Sequence, residues 1–112
     1  MHASAANFNL YQLVGTPTSA GVDTKTLEQS TTDKAKIIAT LEASYAHAKA
    51  AIRAMSDADL EKTLEWNGGK ITERGVLLYI VQHIAQLLGQ QIAYGRLIGV
   101  VPPWTLDPPR KD

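Results

Sequence analysis

Three histidines carry most of the chemistry this sequence could do: His2, His47 and His83. A neutral imidazole is a proton carrier near neutral pH and the commonest metal ligand. There is no cysteine, so thiolate sites and disulfides are excluded, and imidazole and carboxylate remain as the strong donors. No His-Glu-x-x-His, Cys-x-x-Cys, Gly-x-Ser-x-Gly or phosphate-loop pattern occurs. The chemistry in view is therefore capture of a divalent ion by imidazoles brought together in the fold. One histidine makes no site, and each has an ordinary reading. His83 lies mid-helix beside Gln86 and Gln90, where a half-buried imidazole commonly just satisfies a hydrogen bond. His47, between Ala46 and Ala48, reads as a packing or solvated side chain. His2 stands at the start of the chain. Trp66 and Trp104 sit beside turn residues and read as plugs at the ends of a helical core. Trp104, after Pro102-Pro103, could instead line a pocket mouth.

The elements that must position these residues are helices. Residues 2–14 form a short apolar helix, with Gly15 free to take the positive φ that ends it. Residues 18–32 are rich in Thr, Ser, Ala and Gly and read as a linker that Leu27 pins. Thr32 caps a long helix over 33–55, and Asp33 in its first turn suits the helix dipole. Ile37, Ile38, Leu41, Tyr45, Ala48, Ile52 and Met55 recur at steps of three and four and predict its inward face. Ser56 with Asp59 resembles a capping box and predicts a further helix with Leu60 and Leu64 inward. Asn67-Gly68-Gly69 is a turn. Thr72 then caps the main helix, which Gly99 ends; about 27 residues at ~1.5 Å each span ~40 Å. Its apolar surface is broad enough to need several neighbours. Gly89 and Gly95 inside it predict close approach of another backbone. Residues 106–112 read as a polar tail after a domain over 1–105.

The chain has 112 residues, 11 basic and 11 acidic. That length fits one small domain. A net charge of zero argues against a nucleic-acid partner. No apolar run approaches ~18 residues without polar interruption, so no membrane span is expected. The start of the chain lacks the basic and apolar segments of a signal peptide, and a cytoplasmic location is the expectation.

One stretch is more specific. Gly89-Gln90, Tyr94, Arg96, Gly99 and Pro102-Pro103-Trp104 together closely resemble the end of the DinB-like (YfiT-like) superfamily of metalloenzymes. His2, with Asn7-Phe8 five residues on, is similar to that family's signature on its second helix. Lys34, Leu41, Ser44-Tyr45 and the turn from Ser56 fit its third helix. The resemblance implies an up-down four-helix bundle, commonly dimeric. It also implies one divalent metal, nickel or zinc, on three histidines. His2 matches the ligand from the second helix, and His83 the first of a His-x-x-x-His pair on the last. Leu87 occupies the third ligand position. The family's first helix would precede residue 2 and is not represented.

The expectation is thus an all-α fold: three helices of a DinB-like four-helix bundle, completed by dimerisation into a homodimer. Its metal residues are His2 and His83, and its pocket residues Asn7, Leu87, Gln90 and Trp104. With an isobutyl group in the third position, the function expected is that of a family member with a degenerate metal site and weak or no catalysis. The alternative is a metal-dependent transferase or hydrolase acting on a small-molecule or thiol substrate.

Overall fold

The computed structural model describes residues 1–105; the polar tail assigned to 106–112 lies outside them. The architecture is mostly helical: α1 (His2–Leu10), α2 (Lys34–Ala54) and α3 (Glu73–Leu97), with a small hairpin of β1 (Thr63–Trp66) and β2 (Gly69–Thr72). The chain divides into two compact units, Met1–Ile80 and Val81–Asp112, and α3 runs through both.

The first unit is built around α1. Ala3 to Phe8 are all buried, six consecutive residues, so this helix is enclosed on more than one side. α2 covers one side and the linker another. The linker descends along α1: Thr18 Oγ1 donates to the Phe8 carbonyl, Thr24 Oγ1 donates to Asn9 Oδ1 (2.7 Å), and Glu28 meets His2. α2 then climbs beside α1, with Asn7 against Ser44 and Tyr11 against His47. The two helices therefore run in the same direction, and the long linker is the crossover this requires. α1 ends in one 3₁₀ turn, Tyr11–Val14, and Gly15 takes φ 81° as expected.

α2 departs from the sequence reading in two ways. Its cap is Asp33, not Thr32: the Asp33 carboxylate accepts from the Lys36 amide at 2.8 Å. Its buried residues are Ser44, Ala48 and Ala51, while Ile38, Tyr45 and Ile52 remain 46%, 40% and 49% exposed. Of the predicted inward face Ala48 is buried and Ile37, Leu41 and Met55 are half-buried; Ser44 and Ala51, which the stripe left out, are buried as well. Short side chains at a contact let two helix axes pack at closer distance.

The helix expected after Ser56 is a single 3₁₀ turn, Asp59–Glu61. The box itself forms: Ser56 N and Oγ both donate to Asp59 Oδ2 at 2.7 Å, and the Asp59 amide donates to Ser56 Oγ at 3.3 Å. Lys62 Nζ also donates to Asp59 Oδ1. That bond first, and the Ser56 bonds after it, hold the Asp59 carboxyl well below the usual carboxylate range. A depressed folded pKa stabilises above the unfolded carboxylate pKa of about 3.9 and stops doing so as pH falls through the folded value. An NMR titration should therefore find Asp59 still ionised at pH 3. A midpoint near 4 would mean the box does not form in solution.

The chain then turns into the hairpin instead of a helix. Leu64 pairs with Ile71, and Glu65 with Lys70 opposite it. Asn67 (φ 48°) and Gly68 (φ 81°) make the turn, the positive-φ pair that two-residue hairpins favour. Trp66 packs edge-on against Tyr79 of α3, with ring centroids 5.1 Å apart. Thr72 Oγ1 accepts from the Gly75 amide and caps α3. A Cβ on Gly75 would lie 2.6 Å from Ile71 Cγ1, so this glycine lets the hairpin fold onto the helix start. The close approach expected at Gly89 is not seen, since a Cβ there meets nothing within 4 Å. At Gly95 it is real, and comes from the chain's own return: Val100 N donates to the Gly95 carbonyl at 2.8 Å.

By length and composition α3 is apolar enough to cross a membrane. It nonetheless carries Gln82, His83, Gln86, Gln90 and Gln91 along its length. Polar side chains at that density are expensive in hydrocarbon.

Candidate functional site

The sequence-derived site residues divide between the two units. His2 and Asn7 belong to the first, and His83, Leu87, Gln90 and Trp104 to the second.

In the first unit, His2 opens α1 and its Nδ1 meets the Glu28 carboxylate. Asn7 is buried and donates from Nδ2 to Ser44 Oγ at 3.1 Å; Ser44 in turn donates to the Leu41 carbonyl at 2.7 Å. This chain of polar groups ties α1 to α2 through a part of the core where each group has a partner, so its burial is not penalised. Next to it stands His47. Its ring lies 5.2 Å from that of Phe8 and edge-on to Tyr11 at 6.3 Å. Its Nδ1 is 3.4 Å from Ser19 Oγ. Its Nε2 is shut off from solvent without a hydrogen-bond partner among the described residues, as is Ser4 Oγ. Burial also raises the Tyr11 hydroxyl pKa. His47 therefore has the packing role its sequence position suggested, more enclosed than a solvated ring. The partnerships of His2 with Glu28 and of Asn7 with Ser44 span 26 and 37 residues. No local pattern announces contacts at that separation.

In the second unit, His83 and Leu87 are four residues apart on α3 and share a face. Both are half-buried, whereas Gln86 and Gln90 are exposed. Beyond α3, Gly99 takes φ 79° and the chain doubles back on the last helical turn. The return forms an apolar cleft of about 180 Å³, walled by Ile92, Gly95, Val100, Val101 and Trp104 among others. Trp104 thus lines a pocket mouth, as its place after two prolines allowed; Leu87 and Gln90 are not among the residues lining it.

The donor set does not fit a three-imidazole metal site. The position one turn after His83 holds an aliphatic side chain with no lone pair. The Glu28 carboxylate at His2 Nδ1 is the kind of partner that orients a ligating imidazole and does not itself count against that ring. No group of three or more His, Cys, Asp or Glu able to hold a metal occurs among the described residues. A tetrahedral ion held tightly requires three or four protein ligands.

The described elements are mostly helical, with a long crossover between α1 and α2 and a histidine midway along α3. A family model of the DinB superfamily matches residues 3–90, and the chain belongs to that superfamily. The matched segment includes His83, Leu87 and Gln90 and stops short of Trp104. Comparison with curated proteins and with solved structures returned no match.

Proposed function

We propose that this chain is a DinB-superfamily protein whose metal site has degenerated, and that it serves as a cytoplasmic, homodimeric helical module without metal-dependent catalysis. The observation that carries the reading is Leu87: half-buried one helical turn after His83, it occupies the place where a second imidazole on α3 would have to stand. Two imidazoles leave a divalent ion short of ligands, and each must also stay unprotonated to bind. No catalytic step through a metal is therefore assigned. The rival reading, a metal-dependent transferase or hydrolase acting on a small molecule or thiol, is favoured by the presence of His2, Asn7, His83 and Gln90.

Calorimetric titration with Zn²⁺ and with Ni²⁺ separates the two. The degenerate reading expects no saturable heat at 100 µM protein and pH 7.5, values of the order at which a micromolar site would saturate. One-to-one uptake with micromolar affinity, abolished by His83→Ala, would overturn it. Sedimentation at high micromolar concentration should give the dimer mass; a sharp monomer would remove the homodimer.

A further inference from the structure

We infer that the uncovered face of α2 is the surface on which two copies of this chain meet, with the two α2 helices antiparallel about a two-fold axis at Tyr45. This rests on the homodimer reading above and specifies it. Ile38, Tyr45 and Ile52 are the large apolar side chains that α2 leaves substantially exposed. They are spaced seven residues apart, so they form one straight ridge about 21 Å long on a helix of 21 residues. The ridge reads the same in both directions: isoleucine, tyrosine, isoleucine. Turned about Tyr45, Ile38 of one copy faces Ile52 of the other, and Tyr45 faces itself. An isologous interface requires this self-complementarity.

The charges on the flank fix the direction. Glu42 lies three residues before Tyr45 and Lys49 four after it, both exposed and both about one step to the same side of the ridge. In the antiparallel arrangement Glu42 of each copy comes beside Lys49 of the other, giving two symmetry-related ion pairs. In a parallel arrangement the two-fold runs along the helix axes and carries the charged flanks to opposite sides of the interface, so no Glu42–Lys49 pair forms. On the opposite flank, Ala48 is buried within the chain's own core, and Leu41 and Met55 are half-buried. The free surface is therefore the ridge and its charged flank, whose sign pattern inverts on reversal and so matches a second copy of itself.

Because the chain contains no cysteine, single cysteines report the geometry without background. Under mild oxidation Tyr45→Cys should cross-link to a covalent dimer. Ile38→Cys alone and Ile52→Cys alone should not, whereas a mixture of the two should give the heterodimer. Charge exchange gives an independent readout. Glu42→Lys alone and Lys49→Glu alone should each weaken self-association about tenfold, since two pairs turn repulsive. The double exchange should restore it, and the two single variants should associate with each other. A dimer in which Ile38→Cys cross-links to itself, or in which none of these positions cross-links, overturns this interface and leaves the homodimer standing. A monomeric wild-type chain overturns both.

Discussion

Leu87→His should convert a chain with no measurable metal uptake into one that binds Zn²⁺ or Ni²⁺ with a micromolar dissociation constant. The change from a millimolar or weaker constant is about a thousandfold, or ~4 kcal/mol. The argument is geometric. Residues 83 and 87 lie on one face of a continuous helix, one turn apart, so two imidazoles there can converge on one ion. The new ring enters a half-buried position, where a bound ion would be partly screened from water. Uptake should weaken as pH falls, because protonated imidazole is no ligand. Leu87→Gln, similar in bulk but a poor donor, should gain nothing. Adding His2→Ala to Leu87→His tests the need for a third imidazole: affinity should fall again, because two imidazoles leave the ion short of ligands, and an unchanged constant would overturn the ligand-deficit argument made for the wild-type chain. A folded Leu87→His protein that binds neither ion would show that position 83 is not the metal position of the family.

Phe8→Ala should lower the free energy of unfolding by about 3–4 kcal/mol, the range for removal of a buried aromatic ring. Phe8 is 1% exposed and is the bulkiest of the fully buried side chains. It packs against His47 and closes the buried run Ala3 to Phe8 of α1. The fully buried residues of α2, Ser44, Ala48 and Ala51, are all short, so that helix offers no large side chain from its core to fill the space. Small domains are stable by only about 5–15 kcal/mol, so this single change removes a large share. Urea unfolding with an unchanged denaturant slope is the measurement. A loss under about 1 kcal/mol would show that α1 is not docked as described.

Much of the fold was legible in the sequence because it depends on local rules. The positive-φ glycines that end helices, the cap at Thr72 and the 3.6-residue period of α2 and α3 all involve residues within one turn of each other. The hairpin was missed although its signal was present: Asn67-Gly68 is the residue pair that a two-residue turn prefers, and Glu65 and Lys70 are placed to face one another. A capping box earlier in the chain pointed to a helix, and the box is real. It terminates in one turn because the chain is captured by strand pairing, with the Glu73 amide donating to the Lys62 carbonyl at 2.8 Å.

The sequence by itself determined that the chain is helical, which family it resembles, and that the residue one helical turn after His83 is the aliphatic Leu87. Those are properties of residue identity and of spacing along one helix, and no packing can alter them. Only the tertiary structure decided which side of α2 is buried, that His2 is held by Glu28 and Asn7 by Ser44, and that α1 and α2 run the same way. Each of those depends on which surfaces of distant segments approach, and on α2 the residues that approach closely enough to be fully buried are the short Ser44, Ala48 and Ala51.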